Sequence, residues 1–273
     1  MATPMQNPAA RASAWFEQPT PRLVRGVSVE PSQRRVRAFF GGVPVADSKR
    51  VLLVFEPRRM PVYWFPRTDV HADLLQLAGR DATASPVVDR WTLRVGERVA
   101  ERAAWSYPDP GPEHAALEDH VAFFWDKLDA WFEEDDEVFE HPRDPYHRVD
   151  VLRSSRRVRI EVEGQVVAET VRPCLLFETG LPVRYYIPKL DVRMELLEPS
   201  DRTTRCPYKG VAVYWSLRVN GRLHEDLVWS YPHPLPECPK IEDLLCFWNE
   251  RTDTIVDGEL QERPVTPWSS WAS

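Results

Sequence analysis

The chain has 273 residues, 43% hydrophobic and 28% charged, a composition that fits one large or two ordinary globular domains. Its net charge of −7 argues against a sequence-blind nucleic-acid binder, and no apolar run approaches the ~20 residues that span a bilayer. Proline is in excess, 26 residues against 11 glycines, so long helices should be scarce and turns frequent.

In chain order, residues 1–33 have arginines but no continuous apolar core, so they read as a loosely ordered extension rather than a secretory signal. A first domain is expected over 34–140, ending in the acidic run "EEDDEV", read as a solvated domain end. Residues 141–155 are polar and proline-broken and are assigned as a linker. A second domain follows over 156–260, then a tail over 261–273 whose tryptophans could dock elsewhere. Within the second domain "VRIEVEG" alternates with period two, and Gly164-Gln165 is taken as a hairpin turn into "VVAET". "CLLFE" and "VRYYIP" are further short strands, and "KLDVRMELLEPSD" holds a helical turn ended before Pro199. Asn220-Gly221 predicts a type I′ hairpin, and "IEDLLCFW" has the spacing of one short helix. Many short strands with little helix give a mainly β protein.

The domains are one module written twice. "RRVRAFFGGVPVADSKRVLLVFEP" from Arg34 matches "RRVRIEVEGQVVAETVRPCLLFET" from Arg156 at an offset of 122 (156 − 34). The match runs on through Tyr63/Tyr185, Asp69/Asp191, Trp91/Trp215 and "WSYPDP"/"WSYPHP", and closes with "FFW" against "CFW". The second copy gains two residues on the way. A period this long implies two domains, not a solenoid.

The run "YYIPKLDVRMELLEPSDRTTRCPYKGVAVYWSLRVNGR", with "WSYPHP" after it, closely resembles the domain-of-unknown-function family four hundred twenty-seven, also labelled nucleotidyltransferase-like. The first copy resembles it through "VYWFPRTDV", "WTLRV" and "WSYPDP". This resemblance implies two tandem small β domains of β-tent-like architecture, each with a short helix. It implies no established activity, and fold alone does not supply one. No phosphate-cradling Walker loop or Gly-x-Gly-x-x-Gly supports the nucleotidyltransferase-like label.

Residues needed to build the fold should occur in both copies, and Tyr185, Asp191, Trp229 and Tyr231 do. The aromatics are core or pocket lining, and Asp191 either caps a helical turn or faces a pocket. Cys206, Tyr208, Lys209 and Tyr214 differ: opposite them the first copy has Ala84, Pro86, Val87 and Arg90. A cluster absent from one copy is not required by the fold. These eight residues form the expected ligand site, with Lys209 as a point charge for an anion and Tyr208 and Tyr214 stacking or hydrogen bonding. Cys206 and Lys209 are the candidates for catalysis, since a neighbouring ammonium raises a thiol's thiolate fraction. No histidine lies near Cys206 in sequence.

Cys174, Cys206, Cys238 and Cys246 occur only in the second copy, opposite Leu52, Ala84, His114 and Phe123, with no Cys-x-x-Cys pairs. No metal and no cofactor is therefore expected, and Cys174 and Cys246 read as core. The leading expectation is a cytoplasmic module that binds a small anionic or planar molecule, without nucleic acid or membrane. The alternatives are an enzyme using Lys209 or Cys206, and a scaffold that binds a protein partner through a tryptophan-rich surface.

Overall fold

In the stretch Val36–Phe40, side chains alternate between buried and half-buried, and Val158–Val162 repeats that pattern residue for residue. Such alternation needs one face of a strand on a core and the other nearer water. The computed structural model describes residues 26–57, 59–266 and 269. The N-terminal extension up to residue 25 and the tail tryptophans Trp268 and Trp271 lie outside the described residues. Contacts divide the chain into two units, residues 1–137 and 138–273.

The first unit contains β1 (Ser28–Pro31), β2 (Val36–Phe40), β3 (Val43–Ser48), β4 (Leu52–Phe55), β5 (Val62–Pro66) and β6 (Leu75–Asp81). It continues with β7 (Val88–Val95), β8 (Arg98–Ser106), β9 (His120–Phe123), β10 (Ala130–Glu133) and β11 (Asp136–Val138). A seven-stranded sheet has the order β1-β4-β5-β9-β8-β7-β6, and a four-stranded sheet the order β11-β10-β2-β3.

The second unit repeats this plan with β12 (Val149–Arg153), β13 (Val158–Val162), β14 (Gln165–Thr170), β15 (Cys174–Glu178), β16 (Arg184–Ile187) and β17 (Leu197–Cys206). Then come β18 (Gly210–Val219), β19 (Arg222–Ser230), β20 (Leu245–Phe247), β21 (Asp253–Val256) and β22 (Glu259–Leu260). Its seven-stranded sheet runs β12-β15-β16-β20-β19-β18-β17, and its four-stranded sheet β14-β13-β21-β22. The protein is thus mainly β, in two tandem sheet-rich domains. The duplication read from the sequence is a duplication of topology.

Three local expectations shift. The β13–β14 turn falls on Glu163-Gly164 (φ 50° and 76°), one residue earlier than expected, because two consecutive left-handed residues are what a type I′ turn requires. "IEDLLCFW" is no α-helix: a 3-10 turn at Pro239–Ile241 precedes strand β20, which is buried and pairs with β16 and β19. A short apolar run fits either period, and here sheet pairing decides. Cys246 also stands where Ala122 does, not Phe123, since Cys246 pairs with Tyr186 as Ala122 pairs with Trp64. The Asn220-Gly221 turn forms as expected, with φ of 49° and 81°.

Each seven-stranded sheet has apolar side chains on both faces. In the second unit one face meets the four-stranded sheet through Ile160, Val167, Ile187, Leu217 and Phe247, among others. The opposite face carries a separate cluster that includes Leu176, Tyr186, Tyr214, Trp229, Tyr231, Cys238, Ile241 and Cys246. The singular chemistry of the chain lies at this second face.

Candidate functional site in the second unit

Strands β17 and β18 are joined by Pro207, Tyr208 and Lys209, with Cys206 paired to Gly210 across the base of the loop. Gly210 has φ +98°, and a Cβ there would lie 3.1 Å from the His233 carbonyl oxygen. Only glycine accepts both that backbone and that approach. The loop is clamped from the same side, where the Leu235 N–H donates to the Lys209 carbonyl at 3.1 Å. In the first unit residues 82–87 join β6 to β7, a longer connection, so Cys206, Tyr208 and Lys209 have no structural counterparts there.

The clamp turns Lys209 inward. Its ammonium is 2.5 Å from Glu178 Oε2 at the end of β15, and the lysine is only 9% exposed. The other carboxylate oxygen, Oε1, lies 3.0 Å from His147 Nε2. Burial works against charge on Lys209, yet the Cys206 sulfur and Glu178 hold its pKa above the ordinary lysine value. Burial likewise works against the Glu178 carboxylate, but His147 and Lys209 hold its pKa below the ordinary one. Both groups are therefore charged at neutral pH.

Residues 139–148 carry no strand or helix and pack on this loop. The His147 ring stacks on Tyr208 at 4.1 Å and 18° between planes. The Asp144 N–H donates to the Tyr208 hydroxyl at 2.8 Å, and Arg143 lies over the same ring while pairing with Glu237. His141 approaches Tyr208 at 5.9 Å, and Arg205 lies over Phe139. Tyr208 is buried beneath these contacts, and burial pushes its phenol up to about 12.

The structure brings six of the eight expected residues to one face. Cys206, Tyr208 and Lys209 form its edge, while Tyr214, Trp229 and Tyr231 are buried within the apolar cluster. Tyr214 exchanges a 2.9 Å hydrogen bond with Thr204, and Trp229 donates to the Tyr186 hydroxyl at 3.2 Å. The other two lie elsewhere. Tyr185 packs on the opposite face of the sheet, as strand alternation requires of the neighbour of Tyr186. Asp191 makes no capping bond; it accepts from Thr170 and Arg172, as Asp69 does from Ser48 and Arg50. That pairing ties a corner of the fold in both units.

Two participants escaped the sequence reading. Glu178 had a usable signal: it matches Glu56 in the repeat, and Glu56 also meets a histidine, His114, at 3.5 Å. His147 had none, because its approach to Glu178 depends on the path of an irregular segment. All four cysteines are free, and Cys206 alone among them is not buried.

A family model described as "Domain of unknown function (DUF427)" matches the chain twice, over residues 28–134 and 150–258. The chain belongs to that family, as two tandem copies. No curated protein matches it. Among the described residues no helix is long and apolar enough to cross a membrane.

Proposed function

We propose that the second unit of this tandem DUF427 protein is a cytoplasmic binding module for a small planar or anionic molecule, and that the first unit is a framework copy without that site. The observation that carries this reading is the buried Lys209–Glu178 ion pair, formed by a residue that only one of the two matching units contains. A buried ion pair contributes little net stability compared with apolar packing, because both ions must shed water. The first unit builds the same strand order without this lysine. Stability is therefore a poor reason for the pair, and ligand recognition is a better one.

The geometry favours a planar ligand over a simple anion. A bare anion at Lys209 must compete with Glu178, whereas a planar molecule with a donor and an acceptor edge can engage carboxylate and ammonium together. The test is thermal unfolding of the full chain with nucleobases, nucleotides, sugar phosphates and small carboxylic acids, alongside Lys209→Met. A ligand at a hundred times its dissociation constant adds about 2.7 kcal/mol, or several degrees. The expected result is a shift in the parent that Lys209→Met loses. No shift with any compound overturns the reading in favour of a protein-binding scaffold.

One observation favours an enzyme as a second reading. The Cys206 thiol is half-buried and neighbours the Lys209 ammonium, which places the least buried of the four cysteines beside a cation. Iodoacetamide should then alkylate Cys206 in the folded chain ahead of the buried Cys174, Cys238 and Cys246. Slower labelling removes this reading.

A further inference from the structure

The His147 imidazole is held as a bound ligand would be held. Tyr208 provides a flat floor at 4.1 Å, and Glu178 Oε1 meets the ring nitrogen Nε2 at 3.0 Å. The other carboxylate oxygen is fixed by Lys209, which leaves Oε1 to the imidazole. His147 belongs to no strand; it lies in the irregular segment 139–148, the kind of element that opens at low free energy.

The first unit supplies a looser parallel, with the same groups close together but neither hydrogen-bonded nor stacked. Its Glu56 occupies the place of Glu178, and His114 Nε2 lies 3.5 Å from Glu56 Oε1, with the Tyr107 ring 5.3 Å from the imidazole at 68°. By the repeat His114 corresponds to Cys238, not to His147. In both units an imidazole and a phenol ring lie near the equivalent carboxylate, reached from unrelated points on the chain, but only the second unit has the hydrogen bond and the stacked ring. Among the described residues His114 Nε2 makes no hydrogen bond, and Tyr107 meets the His114 ring edge-on. A carboxylate at this strand end beside an aromatic ring selects a flat N–H heterocycle, because the acceptor takes the N–H while the ring takes the π-face.

We infer that the ligand of the second unit is a planar N–H heteroaromatic of the imidazole or purine class, which binds by replacing the His147 ring between Tyr208 and Glu178. This inference rests on the binding-module reading above and names its ligand class. His147 acts as an internal occupant, so the free chain binds such a ligand only from the fraction of molecules in which the segment has lifted. Lys209 keeps Glu178 ionised and therefore an acceptor, and an amino or carbonyl substituent on the ring would reach toward Lys209 and Cys206.

The experiment is a histidine-selective NMR titration of the full chain with adenine as the probe. The His147 signal is assigned by its loss in His147→Ala, and folding of each variant is checked by circular dichroism. Adenine should shift the His147 signal saturably in the parent. His147→Ala should bind adenine about tenfold tighter, the gain expected if about 10% of parent molecules are open. His147→Phe, which keeps a ring on Tyr208, should show no such gain. If adenine binds and the His147 signal stays in place, or a folded His147→Ala binds no better than the parent, the inference fails. If sugar phosphates or carboxylates stabilise the parent and adenine does not, the heteroaromatic class falls and the binding-module reading stands. If nothing binds the parent or His147→Ala, both fall.

Discussion

Lys209 keeps only 9% of its surface exposed, so its charge depends on Glu178 far more than on water. Truncating one partner of a buried pair leaves the other charged and unmatched. Lys209→Met should therefore cost about 3 kcal/mol in urea unfolding, the lower end of the range because His147 still bonds to Glu178. Lys209→Met with Glu178→Gln removes both charges and should regain most of that loss; a double variant as unstable as the single one would contradict an ion-pair origin. The same carboxylate sets a pH dependence. Its folded pKa lies below the ordinary 4.5, so its contribution is complete above that value and disappears as pH falls through the lower folded one. Stability measured from about pH 5 to about pH 3 should fall less steeply in Glu178→Gln than in the parent. Equal slopes would mean that Glu178 is not held below its ordinary value.

At the level of elements, the β17–β18 hairpin aims this chemistry, and Gly210 is its hinge. Gly210→Ala puts a Cβ at φ +98° and 3.1 Å from the His233 carbonyl, and both terms are unfavourable. Gly221→Ala, at φ +81° with nothing within 4 Å, meets only the backbone term. Thermal melts should show a loss of about 1 kcal/mol for Gly221→Ala and about 2 to 3 for Gly210→Ala. Equal losses would mean that the His233 approach carries no strain. The sequence made much of this plane of structure legible. Period-two burial in Val36–Phe40 and Val158–Val162 and the Asn220-Gly221 turn are local properties of the chain, and local physics decides them. Placing Cys206, Tyr208 and Lys209 together needed only their adjacency and the copy comparison. What stayed hidden was non-local. The inward turn of Lys209 depends on a clamp from Leu235, and the histidine at Glu178 arrives from a segment with no regular pattern. Tyr185 was misplaced for a different reason: occurrence in both copies marks a residue as structural but does not say which face of a strand it occupies.

At the scale of the whole molecule, duplication has produced two units with the same strand order and different investments at one sheet face. The outer face of the first seven-stranded sheet is closed by aromatic packing, with Trp64 against Trp105 and Tyr107 and Trp105 against Phe124. The corresponding face of the second admits the Lys209–Glu178 pair at its edge and an Arg184–Glu250 pair within, both poorly exposed. Buried ion pairs add less than apolar contacts at the same place, so the second unit should be the less stable of the two. Each unit also closes its own core between its two sheets, which is the condition for unfolding as its own cooperative step. Denaturant unfolding of the full chain should therefore resolve into two transitions. Gly210→Ala and Lys209→Met should move only the earlier one, because both residues lie in the second unit. Tryptophan fluorescence reports both units, while histidine NMR signals from His147 and His114 tell them apart. If the variants move the later transition, the order of stabilities is reversed. If a single transition moves as one for both variants, the units unfold as one body, and the burial of charge in the second has been offset by the first.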